Sequence, residues 1–151
     1  MIYPSTSPFI TLQRTGVLGQ ILLHKTATLN AVDKAMTLAI DAGLTLLIDD
    51  PAVKVIAITS TLEKAFCAGG DVKSVVLDAR EDAGRAAEFF RAEYILNARL
   101  AALPKPFVSI IDGLCMGGGL GLAVHAPYCA VTPKASLAMP EMMIGLFPDV
   151  G

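Results

Sequence analysis

The sequence carries no strong charge of either sign. Twelve Lys and Arg stand against 14 Asp and Glu over 151 residues, a formal net charge of -2. That balance excludes the basic footprint that nucleic acid or an anionic membrane surface would require, so any anionic ligand must be held by local groups. Cysteine is scarce: Cys67, Cys115 and Cys129 are odd in number, widely spaced and set among apolar neighbours, with no CxxC. They read as buried, reduced thiols, and no metal is expected. Histidine is scarcer still. His24 and His125 have no Ser or Cys arranged for a triad, which leaves them core roles. No G-x-x-x-x-G-K-[ST] occurs, and no offset of the glycines in "MGGGLGL" gives G-x-G-x-x-G, so the usual nucleotide-binding motifs are absent. "MIYPSTSPFITLQ" resembles neither a secretory signal nor a transit peptide, which makes the cytoplasm the default expectation. The long apolar run at 107–131 is interrupted by Asp112, His125, Pro127 and five glycines, and so reads as core and not as a membrane span.

What is present is ample apolar material: 54% hydrophobic residues against 17% charged, enough for one compact core. "FITLQRTGVLGQILLHK" predicts two extended runs, Phe9 to Arg14 and Val17 to His24, joined as a hairpin. Met36, Ile40, Leu44 and Leu47 recur at helical spacing, with Asp33 as N-cap or first-turn residue and "DDP" as the stop. "VKVIAITS" at 53–60 suits a strand buried on both faces. A long helix is expected over 81–103, ended by "PKP". A buried strand "FVSIIDG", a short helix around Leu120 to His125, and a third strand near "YCAVTP" follow. Strands alternating with helices give the α/β class with a largely parallel sheet, in one domain or part of one.

Two glycine turns, "CAGGD" and "MGGG", each follow a predicted strand and precede a predicted helix. Glycine allows close backbone approach, and a helix N-terminus offers free N–H groups, so facing turns of this kind suit a developing oxyanion. The closing "AMPEMMIGLFPDVG" sets Glu141 and Asp149 each directly after a proline in an apolar run. Such surroundings raise a carboxylate pKa toward the range useful for acid–base work. Two loop carboxylates exposed for solvation are the plainer alternative, and a wasteful one given the proline-fixed placement.

"KAFCAGGDVKSV" at 64–75, "MGGGLGLAVHA" at 116–126 and "SLAMPEMMIGLFPDVG" at 136–151 together resemble the crotonase (enoyl-CoA hydratase/isomerase) superfamily. "LNAVD" at 29–33 and "FFRAEYILN" at 89–97 extend the likeness, which is nearest to the 3-hydroxyisobutyryl-CoA hydrolase family. The resemblance implies a ββα spiral core that binds an acyl-CoA thioester and holds its oxygen with the N–H groups of Gly70 and Gly118. It assigns Asp71 to capping the next helix. Hydratases of the superfamily use two glutamates; position 121 of the first is glycine here, and Glu141 matches the second. The hydrolases add the aspartate matched by Asp149, and Glu93 matches a further glutamate at the substrate.

The implied activity is hydrolysis of 3-hydroxyisobutyryl-CoA, a valine-degradation step, with Glu141 as nucleophile or base and Asp149 orienting the substrate hydroxyl or the water. Glu93, Gly118, Glu141 and Asp149 would touch the substrate, coenzyme A arrives as part of it, and no cofactor is needed. The alternatives are another crotonase-type reaction or a non-catalytic acyl-CoA binder. The chain is expected to be an N-terminal portion, 1–151, breaking off within the "FPDVG" turn, with C-terminal helices to cover the acyl pocket and assembly into a homo-oligomer.

Overall fold

The computed structural model describes residues 1–150. Apolar residues alternate in "ITLQRT" and "LGQILL", and these become β2 (Ile10–Thr15) and β3 (Leu18–Leu23), an antiparallel hairpin that turns at Gly16. The alternation sends Ile10, Leu12, Ile21 and Leu23 into the core. A short β1 (Ile2–Tyr3) pairs antiparallel with β2 on the outer edge.

The helix expected from the Met36, Ile40, Leu44 and Leu47 stripe is α1 (Lys34–Asp49), and all four side chains are fully buried. Asp33 caps it, accepting from Met36 N at 2.8 Å. The helical Gly43 lets Leu12 approach: a Cβ there would stand 2.5 Å from Leu12 Cδ2.

Beyond α1 the chain winds as a spiral. β4 (Val55–Ser60), β6 (Phe107–Ile111) and β8 (Tyr128–Val131) extend the first sheet in parallel, giving the order β1-β2-β3-β4-β6-β8. After each of these three strands the chain enters a second, three-stranded parallel sheet, through β5 (Ala65–Cys67), β7 (Leu114–Met116) and β9 (Ser136–Ala138). The largely parallel α/β expectation holds, divided over two sheets and led by an antiparallel hairpin.

Two helices fill the excursion between β5 and β6, where one was expected from residue 81. They are α2 (Val72–Glu81) and α3 (Ala83–Ala101), separated where Asp82 ends one and caps the other by accepting from Gly84 N. None of the residues of α2 is buried, although Val72, Val75 and Val76 recur on one face at helical spacing. α4 (Gly118–Val124) follows β7.

Three details of side-chain placement correct the expectations. Cys67 and Cys115 are buried, and burial pushes both thiols up to about 12, but Cys129 is exposed. It lies on β8, the edge strand of the large sheet, all four residues of which are exposed. His24 and His125 are half-buried and hydrogen-bonded: His24 Nε2 lies 2.9 Å from Thr11 Oγ1, and His125 Nε2 2.7 Å from Val150 O. No helix among the described residues is long and apolar enough to cross a membrane.

Candidate active site

Three loops leave the same end of the small sheet, and each carries one of the residues singled out in the sequence. After β5 the backbone is held to the residue preceding α1's cap: Val32 N donates to Gly69 O and Asp71 N to Val32 O, both at 2.8 Å. Gly69 sits at φ +110°, a conformation side chains avoid. The Gly70 N–H between these bonds has no protein acceptor among the described residues.

Asp71 caps α2 as expected, accepting from Ser74 N at 3.2 Å. Its other oxygen meets Lys25 Nζ at 3.1 Å, and the same ammonium reaches Asp33 Oδ2 at 2.8 Å and Ala31 O at 3.1 Å. Burial works against the Lys25 charge, but the hydrogen bonds to Asp33 and Asp71 outweigh it and raise the lysine above its ordinary value. Lys25 thereby ties the Gly69–Gly70 loop to the start of α1.

After β7 comes "GGG", where each glycine admits a different neighbour. A Cβ on Gly119 would stand 2.7 Å from Cys67 O, and one on Gly117 2.5 Å from Glu141 Oε1. On Gly118 it would stand 2.5 Å from Glu93 Oε1 and 3.1 Å from Gly70 N. The backbones of Gly70 and Gly118 therefore face one another at a separation that a side chain would block. Gly118 begins α4, and its N–H also lacks a protein acceptor among the described residues.

After β9 a short 3₁₀ turn, Glu141–Ile144, presents Glu141, and the chain returns through Asp149 and Val150. Glu93 comes from α3. All five residues, Gly70, Glu93, Gly118, Glu141 and Asp149, line a single cleft of about 620 Å³, open mouth included, whose remaining walls are largely apolar and include Val75, Phe89, Ile144 and Leu146. The alternative of two solvated loop carboxylates does not describe this geometry: Glu141 Oε2 is buried with no hydrogen-bond partner among the described residues.

The electrostatics are one-sided. Three carboxylates enter the cleft, and no Lys, Arg or His is among its described lining residues. Glu93, 6% exposed, is pushed up to about 7 by burial first and then by the charges of Asp149 and Glu141. Near neutral pH it shares the site as a partly protonated, hydrogen-bond-donating acid.

Three participants escaped the sequence reading. Tyr94 donates its hydroxyl to Asp149 Oδ2, and the phenol is itself pushed up to about 12 by burial, by that bond, and by the charges of Asp149 and Glu93. Asn97 is buried with neither amide atom partnered among the described residues, and Val150 is buried beside it against Gly121. Glu93 and Asn97 are spaced i, i+4 on the face of α3 that also buries Phe89 and Leu100, a polar stripe in an apolar face that was available as a signal.

Comparison with known proteins agrees with this arrangement. The family model described as enoyl-CoA hydratase/isomerase matches residues 18–151. The chain is 43% identical over 145 residues to the mitochondrial 3-hydroxyisobutyryl-CoA hydrolase of Xenopus laevis, covering 93% of this chain and 36% of that protein. It is 41% identical over 142 residues to the human protein of the same name, covering 94% and 37%. The chain thus spans just over a third of the length of these relatives.

Among solved structures it superposes on a carnitinyl-CoA dehydratase from Mycobacterium thermoresistibile with TM-score 0.91 and 35% identity, covering 95% of this chain and 42% of that one. An enoyl-CoA hydratase from Rhodobacter sphaeroides 2.4.1 gives 0.88 and 40%, covering 94% and 42%. The relatives named above as hydrolases are mitochondrial by name, so they lend the cytoplasmic expectation no support. On the family match and the shared fold, the chain belongs to the enoyl-CoA hydratase/isomerase, or crotonase, family.

Proposed function

We propose that this chain carries the catalytic residues of an acyl-CoA thioester hydrolase acting on 3-hydroxyisobutyryl-CoA, releasing 3-hydroxyisobutyrate and coenzyme A as a step of valine degradation. The observation that carries the reading is the meeting, in one cleft, of Glu141 and Asp149 with two unengaged backbone N–H groups, at Gly70 and Gly118.

The thioester oxygen sits between those N–H groups, which stabilise the negative charge as the carbonyl becomes tetrahedral. Glu141, whose Oε2 has no other partner, acts on the carbonyl carbon as nucleophile or as base for the attacking water. If it attacks, the carbon–sulfur bond breaks to give the CoA thiolate and an acyl–Glu141 anhydride, which water then cleaves. Asp149, fixed by Tyr94, orients the substrate hydroxyl or the water. Glu93 contributes a polar, partly protonated contact to the acyl portion. Coenzyme A enters as part of the substrate, no separate cofactor is used, and the working form is a homo-oligomer.

Hydration of an enoyl-CoA is the second reading, favoured by the names of the two solved relatives. It lacks a second glutamate: position 121 is glycine, and a Cβ there would already stand 2.8 Å from Asn97 Nδ2 and 3.0 Å from Val150 Cβ. The test offers 3-hydroxyisobutyryl-CoA and crotonyl-CoA in parallel, following thiol release and loss of the double bond. Thiol release abolished by Glu141→Gln supports hydrolysis. Loss of the double bond without thiol release replaces it with hydration, and binding without either product makes the chain an acyl-CoA binder.

A further inference from the structure

Gly121 and His125 lie one helical turn apart at the end of α4, so they share a face, and residue 150 is docked on that face. The Cβ of Val150 stands 3.0 Å from where a side chain on Gly121 would begin, and Val150 O lies 2.7 Å from His125 Nε2. A carbonyl oxygen only accepts hydrogen bonds, so Nε2 must carry the proton. Asn97 closes the remaining side, with Nδ2 and Oδ1 2.8 and 3.2 Å from the same Gly121 point. Val150 is 4% exposed in this socket.

The residue before it is Asp149. Its carboxylate receives the Tyr94 hydroxyl on one side, while the carbonyl of the next residue, Val150, is anchored to His125 on the other. The carboxylate is thus held in the cleft opposite Glu93 and Glu141 by two attachments from different helices.

We propose that Gly121 and His125 form a socket for Val150, and that His125 is thereby a positioning residue for Asp149. A side chain at 121 would occupy the space that Val150 fills and displace it, and Asp149 with it. This inference rests on the thioester reading above for its consequence in catalysis, though the socket itself is a structural claim.

The experiment measures kcat and KM for thiol release from 3-hydroxyisobutyryl-CoA in the wild type, His125→Leu, His125→Gln and Gly121→Ala, with 15N spectra of the imidazole in each histidine-containing form. His125→Leu is expected to lower kcat at least ~10-fold with KM changed less than ~2-fold, the scale of losing one orienting hydrogen bond. His125→Gln, which keeps an N–H donor of similar reach, restores most of it. The neutral imidazole carries its proton on Nε2 in the wild type, and Gly121→Ala, by displacing Val150, abolishes that preference.

A wild-type kcat in His125→Leu, a His125→Gln no better than His125→Leu, or a wild-type imidazole protonated on Nδ1 overturns the proposal. Should the wild type release no thiol, the thioester reading fails by itself. The socket is then decided by the tautomer: lost in Gly121→Ala it stands, unchanged it falls.

Discussion

Lys25 Nζ lies 3.1 Å from Asp71 Oδ2, and Asp71 directly follows Gly70, so a buried ammonium fixes the residue next to a proposed oxyanion donor. Asp33 shares the same ammonium at 2.8 Å. Removing it in Lys25→Met leaves two carboxylates facing each other without a cation. Losing one partner of a fully buried pair costs about 3–5 kcal/mol. Here the two aspartates keep 24% and 21% side-chain exposure, so a smaller loss, about 2 kcal/mol, is expected. Urea midpoints of the wild type and Lys25→Met measure it, and equal midpoints would show that the cluster contributes nothing net.

Two glycine substitutions separate catalysis from folding. Gly118→Ala places a methyl group 2.5 Å from Glu93 Oε1 and 3.1 Å from Gly70 N, pushing the two donors apart. The loss of one oxyanion donor predicts a kcat about 10²–10³-fold lower. Gly113→Ala instead meets the Lys64 backbone at 2.5 Å, at φ +79°. It should destabilise by roughly 2–4 kcal/mol while the folded fraction keeps its kcat. Thermal unfolding and active-site-normalised rates together decide; a Gly118→Ala enzyme of full activity would remove Gly118 from the mechanism.

The proton on Glu93 makes stability depend on pH. Its native pKa, about 7, lies above the ordinary 4.5, so the native state binds the proton more tightly than the unfolded chain does. The resulting stabilisation is complete below about pH 4.5 and is lost as pH rises through 7, a change of roughly 3 kcal/mol at most. Urea midpoints of the wild type should therefore fall between pH 5 and pH 8, and those of Glu93→Gln should change less over the same interval. Parallel curves for the two would place the proton elsewhere.

Single-turnover hydrolysis in H₂¹⁸O distinguishes the two roles proposed for Glu141. Attack by the carboxylate, with water opening the anhydride at the Glu141 carbonyl, predicts ¹⁸O in the Glu141 side chain after one turnover. Label in the product acid alone excludes water entering at the Glu141 carbonyl, and trapping an acyl–Glu141 anhydride with hydroxylamine in the same turnover then separates opening at the acyl carbonyl from activated water.

The parts of this structure that were legible in the sequence are those where one physical demand dominates. The Met36, Ile40, Leu44 and Leu47 stripe must be buried, and the Asp33 cap must satisfy an orphan N–H, so both were readable. Helix α2 buries no residue, yet Val72, Val75 and Val76 recur at helical spacing, so the cue of periodicity was there and was passed over. The exposure of Cys129 depends on its strand lying at the sheet edge, a matter of topology that local context does not encode.

Glu93 was located through family likeness alone, whereas Glu141 and Asp149 stood out first by their placement after prolines in an apolar run, and the glycine turns by their chemistry. Tyr94 and Asn97 were passed over because a tyrosine and an asparagine in a helix have many ordinary uses. Only the arrival of residues 149 and 150 from the far end of the chain gives them this one.

The three short strands β5, β7 and β9 lie side by side with β7 in the middle, and the loops leaving them carry Gly70, Gly118 and Glu141. Adjacent strands are held about 4.8 Å apart by their hydrogen bonds. The three groups proposed to react are therefore spaced by a backbone lattice, with Gly118 flanked by Gly70 and by Glu141. The cleft wall that meets the rest of the ligand comes partly from α2 and α3, an excursion inserted between two windings. Chain added or rebuilt in that excursion alters the cleft wall without moving the lattice, so the shape of the cleft and the spacing of these three groups can vary independently in this architecture.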